Sequence, residues 1–172
     1  YAKAGYQVPT RDMIKNAEQI EKIKESAKIN TAVLDEVAKH IKPGMTTEEI
    51  NTIVHNFTVE HGAIPAPLGY GGFPKSVCTS INDQICHGIP SEDDVLKEGD
   101  ISTIYNGYYS DASRMFKIGE VSEEADRLVK VTKECMEMAI ANVKPWIPMG
   151  IIGATIQEHA HKNGYTVVRD FG

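Results

Sequence analysis

Two aspartates flank a sequence typical of a tight β-hairpin, and their spacing suits metal binding or acid–base chemistry. Asn106-Gly107 is the strongest short hairpin signal in the chain, and it predicts strands over 101–105 and 108–115. Because side chains alternate along a strand, Asp100 and Asp111 are expected on one face, about 7–8 Å apart between backbones. Such a pair bridges a cation or shares a proton, unless both carboxylates are simply solvated.

The same turn fixes the expected register of the two strands. A two-residue loop places Ser113 opposite Asp100 and Ser102 opposite Asp111. In this register the two carboxylates lie diagonally across one face. The sequence therefore predicts a candidate ligand pair.

A second candidate is the histidine within Cys86-His87-Gly88-Ile89-Pro90, on a short strand predicted over 84–89. A histidine beside a cysteine can be a metal ligand, a proton shuttle or core filling, and the residues alone leave these alternatives open. The sequence shows no Ser-His-Asp order and no phosphate-binding loop.

Four amphipathic helices must position these side chains. The first two begin with capping boxes, Asn16 with Gln19 and Thr46 with Glu49. Apolar residues at steps of three and four continue each helical pattern. The predicted helices cover about 16–42, 46–62, 122–143 and a stretch that ends near 164, and short strands are predicted over 77–81 and 165–169.

The helical pattern repeats along the chain. Lys42-Pro43 precedes Gly62, and Lys144-Pro145 precedes Gly164, with an offset of 102 residues between the copies. Equal spacing suggests a duplicated helix–helix–strand half, and chance is the alternative because these residues commonly end helices. A complete second copy is expected to extend beyond Gly172.

Composition narrows the function classes. The chain has 172 residues, of which 41% are hydrophobic and 24% charged, as in a globular domain. Its net charge of −6 disfavours sequence-independent nucleic-acid binding, which needs clustered cations. No membrane-spanning run or signal peptide is expected. Three cysteines without regular spacing favour a reducing cytoplasm over a disulfide framework.

Several motifs in one order resemble the type I methionine aminopeptidases. The resemblance covers nearly the whole chain from about Ile14. The motifs are Leu68-Gly69-Tyr70, Phe73-Pro74-Lys75-Ser76-Val77-Cys78, Ser80-Ile81-Asn82, Cys86-His87-Gly88-Ile89-Pro90, Leu96-Lys97-Glu98-Gly99-Asp100, Asn106-Gly107-Tyr108, Ser110-Asp111-Ala112-Ser113, Gly119 and Val167-Val168-Arg169-Asp170.

The resemblance implies an α/β fold of the pita-bread, or creatinase–aminopeptidase, type, built from duplicated helix–helix–antiparallel-sheet halves. It implies two divalent metal ions, Co, Mn, Fe or Zn, in a cleft between the halves. They activate a water that attacks the peptide bond after an N-terminal methionine. The implied substrate is the N-terminus of a nascent polypeptide, with the ribosome as a further partner. The implied protein is a cytoplasmic monomer without direct nucleic-acid or membrane binding.

The resemblance also assigns site residues by position. Asp111 matches the carboxylate that bridges both metal ions, and His87 matches the catalytic histidine near the scissile bond. Tyr70, Phe73 and Cys78 match the lining of the methionine side-chain pocket. A soft, apolar, aromatic-edged slot suits a thioether.

The sequence departs from the family pattern at the first metal ligand. In the family, a hydrophobic strand that carries this aspartate follows the Gly-Asp dipeptide, whereas here Gly99-Asp100-Ile101 runs directly into Ser102. Either the ligand is deleted, or Asp100 now holds its place. The 11-residue separation from Asp111 equals the family spacing, which favours Asp100 as a metal ligand.

A second departure concerns the extent of the chain. The later family ligands, one histidine and two glutamates, and a second catalytic histidine are expected beyond Gly172. We therefore interpret 1–15 as an N-terminal tail and 16–172 as an incomplete aminopeptidase catalytic domain with a truncated second half. This polypeptide by itself is expected to be inactive. The alternatives are a non-catalytic pita-bread module that binds peptides or proteins, and an engineered half-domain.

Overall fold

Four α-helices, three strands and short 3₁₀ turns make up the regular structure of the described residues. The computed structural model describes residues 2–5, 8–96, 98–102 and 110–169, with backbone alone for residue 12 and residues 98–102. The elements are α1 (Ala17–His40), α2 (Thr47–Glu60), β1 (Cys78–Ser80), β2 (Glu98–Ser102), β3 (Ser113–Lys117), α3 (Glu123–Ala141) and α4 (Gly150–Lys162). Two compact units divide the chain, unit 1 at Tyr1–Gly119 and unit 2 at Glu120–Gly172. None of the helices in the described ranges has the length and apolarity to cross a bilayer.

The predicted helix starts are confirmed by their caps. Asn16 accepts a hydrogen bond from the Gln19 backbone N–H, and the Gln19 side chain accepts one from the Asn16 N–H. Thr46 and Glu49 make the same reciprocal pair at the start of α2. These bonds satisfy backbone donors that have no partner within the first helical turn.

The three strands form an antiparallel sheet in the order β1-β2-β3. Two rows of paired residues cross it: Cys78, Ser102 and Ser113 in one, and Ser80, Asp100 and Met115 in the other. Since residues alternate between the two faces along a strand, both rows belong to one face by backbone register, and we call it the outer sheet face.

The predicted register of β2 and β3 is wrong by two residues. Asp100 pairs with Met115 rather than Ser113, and Ser102 pairs with Ser113 rather than Asp111. The physical reason is a contact outside the sheet. Asn30 of α1 donates a hydrogen bond to the Ser110 carbonyl oxygen, which holds the chain off the strand before Ser113. The predicted turn at Asn106-Gly107 lies outside the described residues.

The inner sheet face packs against α1 and forms the core of unit 1. Val33 and Val37 of α1 and Val77, next to β1, are almost fully buried, and Phe116 of β3 packs against this core. The neighbouring Arg114 forms an ion pair with Asp35 of α1, at 2.8 Å. Burial of this face leaves the outer sheet face for other contacts.

Unit 2 is a pair of packed helices. Val131 and Cys135 of α3 and Ala160 of α4 are buried together, with Tyr165 packed against them. The imidazole of His159 lies 2.8 Å from the Glu134 carboxylate, which joins the two helices.

The ends of α2 and α4 support the predicted duplication at atomic level. The Ala63 N–H donates to the backbone carbonyl oxygen of Thr58, and the Tyr165 N–H donates to that of Ala160, both at 2.9 Å. Each bond belongs to a Schellman turn whose glycine, Gly62 or Gly164, has a positive φ. All equivalent atoms are 102 residues apart.

The two helix pairs differ in what covers their outward residues. Leu34 of α1 is 2% exposed, whereas Met136, at the offset of 102, is 52% exposed. Ser26 is fully buried, whereas its counterpart Leu128 is 47% exposed. The helix–helix contact is therefore repeated, whereas the burial of these outward residues is not.

Two predicted strands are wrong. Residues 84–89 are irregular because His87 adopts a positive φ of 56°, which an extended strand does not contain. Residues 165–169 form no strand either, because the Tyr165 N–H is used by the end of α4. The strand predicted over 77–81 is confirmed by β1.

Two glycines in one helical segment should respond oppositely to alanine. Gly164 has a φ of 83°, so Gly164→Ala should lower the free energy of unfolding by about 1 kcal/mol. Gly153 lies inside α4, where a Cβ would meet nothing within 4 Å. Gly153→Ala should therefore raise the free energy of unfolding by about 1 kcal/mol. Amide hydrogen exchange of α4 measures both changes, and effects of the same sign would contradict the Schellman turn.

Candidate active site

The outer sheet face brings several predicted site residues onto one surface. Cys78 is half-buried on β1, and the backbone register places Asp100 on the same face of β2. Met115, the partner of Asp100 on β3, is 45% exposed. This face thus combines a thiol, a thioether and a carboxylate-bearing residue.

Asp111 lies close enough to Cys78 to act on it electrostatically. Burial raises the pKa of the Cys78 thiol, and the charges of Cys86 and Asp111 raise it further. A negative charge nearby disfavours formation of the thiolate. The exposed carboxylate of Asp111 and the Cys78 thiol therefore belong to one electrostatic environment.

Helix α1 fixes the backbone next to Asp111. The hydroxyl oxygens of Ser26 and Ser110 lie 2.9 Å apart. The Asn30 side-chain amide donates to the backbone carbonyl oxygen of Ser110 at 3.2 Å. Ser26 and Asn30 are both buried. Because buried polar groups are costly to leave unpaired, these contacts hold Ser110, and with it the start of Asp111.

The two aspartates are further apart than the sequence predicts. Asp111 lies four positions before Met115, the backbone partner of Asp100, whereas the predicted register placed it two positions before that partner. Within the described ranges, no group of three or more His, Cys, Asp or Glu could hold a metal ion. The donor set described does not fit a closed metal site, which requires three or more protein ligands.

His87 is presented by a close contact of the next residue with β1. The Thr79 N–H donates to the Gly88 oxygen at 2.9 Å, and the Gly88 N–H donates to the Ser80 hydroxyl at 3.3 Å. A Cβ on Gly88 would lie 1.9 Å from the Thr79 oxygen. Only glycine permits this approach, which leaves the His87 side chain exposed.

Tyr70 and Phe73 lie together in a short turn before β1. The Phe73 N–H donates to the backbone carbonyl oxygen of Tyr70, and the Gly69 N–H donates to that of Phe73. Tyr70 is 83% exposed, and Phe73 is half-buried. The ring of Tyr70 is therefore available at the surface.

One group of residues near this turn was not predicted from the sequence. Glu48, Asn51 and His55 share one face of α2, and we call them the α2 polar face. Their contacts run to Lys75 and Ser76, at the end of the turn segment. The signal was their spacing of three and four residues beside the apolar stripe of the same helix.

Alanine at Gly88 should open the contact with β1. In Gly88→Ala the Cβ would collide with the Thr79 carbonyl oxygen, so the hydrogen bond from the Thr79 N–H should break. Amide exchange of Thr79 should then accelerate. Gly150→Ala, where a Cβ meets nothing within 4 Å, is the matched control. Unchanged protection of the Thr79 amide in Gly88→Ala would contradict the close contact.

The reactivity of Cys78 should report the nearby Asp111. The rate of Cys78 alkylation against pH should have its midpoint above that of an ordinary cysteine, because burial raises its pKa. Asp111→Asn removes a negative charge and should move the midpoint to lower pH. The measurement uses chains in which Cys86 and Cys135 are replaced. An unmoved midpoint in Asp111→Asn would show that the Asp111 charge does not act on the Cys78 thiol.

Solved and curated relatives match most of this chain. Methionine aminopeptidase A of Synechocystis is 50% identical over 158 residues, which cover 89% of this chain and 62% of that protein. Methionine aminopeptidase of Rickettsia prowazekii is 46% identical over 155 residues, covering 87% and 60%. The crystal structure of the Rickettsia prowazekii enzyme matches with a TM-score of 0.86 at 43% identity, covering 91% of this chain and 65% of that one. The chain spans about 60% of the length of these curated relatives.

The match to the Synechocystis protein contains an internal length difference. The matched stretch is 158 residues long, whereas 89% of the 172 residues of this chain is about 153. About five residues of the relative thus lack a counterpart inside the matched span. This difference supports a missing segment, and its expected place at Gly99-Asp100-Ile101 stays a prediction.

The family is established by a match over most of the chain. Residues 21–172 match metallopeptidase family M24. The structural match to a solved relative covers 91% of this chain. The chain belongs to metallopeptidase family M24 and has the α/β pita-bread fold of that family.

Proposed function

We propose that the whole protein removes the N-terminal methionine from polypeptides by hydrolysis of the first peptide bond. The observation that carries this proposal is the 50% identity, over 89% of the chain, with methionine aminopeptidase A of Synechocystis. The outer sheet face supports it, because its chemistry suits a methionine side chain.

The methionine pocket is the part of the proposed function that this chain supplies. Tyr70 and Phe73 offer aromatic surface, and Cys78 offers a polarisable sulfur at the edge of β1. Methionine thioethers make favourable contacts with aromatic rings and soft apolar groups. These three residues are proposed to bind the methionine side chain.

His87 is the proposed catalytic residue of this chain. Its imidazole is exposed, and the residue that follows it, Gly88, is hydrogen-bonded to Thr79 of β1. An imidazole can donate a hydrogen bond to substrate or transfer a proton.

Asp111 and Asp100 are the proposed metal ligands. The metallopeptidase family implies divalent metal, and we expect two ions, Co, Mn, Fe or Zn, in the whole protein. The described residues supply too few ligands for a closed site. We therefore expect the 172-residue polypeptide by itself to bind at most one ion weakly and to release no methionine from Met-Ala peptides.

Nascent polypeptides are the proposed substrates. Ribosome contact, a monomeric state and a cytoplasmic location are further expectations for the whole protein. The names of the relatives support hydrolysis over a non-catalytic binding module, since those cited are methionine aminopeptidases.

Protection of Cys78 by free amino acids tests the pocket. L-methionine should slow alkylation of Cys78, because its thioether would occupy the space beside the thiol. L-lysine is the control ligand, since its ammonium group is strongly hydrated and unsuited to an apolar slot. Equal protection by both, or none by methionine, would refute the pocket.

Hydrolysis is measured on the whole protein. Met-Ala-Ser should release its first residue, and Lys-Ala-Ser should not. Preference for lysine would contradict the proposed function even if Cys78 were protected.

A further inference from the structure

We propose that Asn51 and His55 of the α2 polar face are positioning residues for the methionine pocket, and this inference rests on the proposed function. They act through Ser76, two residues before Cys78, and they touch neither the proposed substrate nor the reacting atoms. Their role is to fix where the pocket wall begins.

The turn at residues 67–73, which carries Tyr70 and Phe73, is tied to α2 through the residues that follow it. The backbone hydrogen bonds of residues 67–73 run within the turn itself, as between Gly69 and Phe73. Contacts to another element come at Lys75 and Ser76, which both reach α2. Lys75 and Ser76 therefore fix to α2 the end of the segment that leads into β1.

Ser76 is held by two side chains at once. Its N–H donates to the Asn51 oxygen at 2.8 Å, and its hydroxyl lies 2.8 Å from Nδ1 of His55. Ser76 is 2% exposed, so water cannot replace either partner. The contacts set both the backbone and the side chain of Ser76.

Asn51 is itself fixed by a charged neighbour. Its side-chain amide donates to one oxygen of Glu48 at 3.1 Å, and Lys75 donates to the other at 2.6 Å. This pairing assigns the Asn51 oxygen to Ser76, because the nitrogen is already used. The α2 polar face thus holds two consecutive residues of the chain.

The anchored residue transmits its position directly to the pocket. Val77 follows Ser76 and is fully buried in the core of unit 1, and Cys78 then begins β1. With Ser76 and Val77 both fixed, Cys78 has little freedom to shift. Loss of the Ser76 contacts should loosen the pocket wall while the core around Val77 stays intact.

The test compares variants of the present chain with Cys78 as its single cysteine. Asn51→Ala and His55→Ala should each accelerate Cys78 alkylation and weaken protection by L-methionine, by about tenfold for Asn51→Ala. Asn51→Asp combined with Glu48→Gln keeps the oxygen that accepts from Ser76 and lets the new amide at position 48 donate to the new carboxylate at position 51, so this double variant should restore most of the protection. Asn56→Ala, an exposed asparagine of the same helix, should change neither rate.

Amide exchange of Val37 and Val54, buried in α1 and α2, separates positioning from general stability. Positioning predicts faster Cys78 alkylation with unchanged core exchange. Unchanged Cys78 alkylation in Asn51→Ala and His55→Ala would overturn the inference. Faster Cys78 alkylation that is matched by equally faster amide exchange of Val37 and Val54 would overturn it too.

Failure of the proposed function is distinguishable from failure of this inference. If methionine protects Cys78 in no variant but Asn51→Ala still accelerates alkylation, the anchoring of Cys78 stands and the methionine pocket is refuted. If methionine protects equally in all variants, the pocket stands and the positioning role is refuted.

Discussion

Burial of one face of the sheet against α1 is the packing arrangement on which the candidate site depends. Phe116 packs into the core beneath α1, and the neighbouring Arg114 pairs with Asp35 on that helix. Because strand side chains alternate, this burial directs Cys78 and Met115 to the opposite face. The chemistry of the site thus follows from which residues the core excludes.

The same helix also determines where the sheet stops. Ser26 and Asn30 hold Ser110, so Asp111 precedes β3 instead of extending it. A residue outside a strand is free of the pairing pattern, and its position is set by helix contacts. The location of this carboxylate is therefore a property of α1 as much as of the sheet.

Local sequence signals predicted the local structure well. The capping boxes at Asn16 and Thr46 form as expected, because each involves side chains three residues apart. The repeat at 102 residues was visible because Gly62 and Gly164 end helices in the same left-handed conformation.

The errors have a common cause in contacts between distant residues. The hairpin register failed because Asn30 binds Ser110, 80 residues away, and no turn signal contains that contact. The strand over 84–89 failed because His87 takes a positive φ beside the close approach of Gly88 to β1. The α2 polar face was missed since its partners lie more than 20 residues further along the chain.

The exposed apolar side chains of α3 affect how this polypeptide behaves in solution. Met136 and Leu128, at positions equivalent to buried residues of α1, place apolar surface in water together with Ile140 and Val143. Exposed apolar surface promotes association between molecules. The exposed side chains of α3 should therefore favour self-association of this polypeptide as its concentration rises.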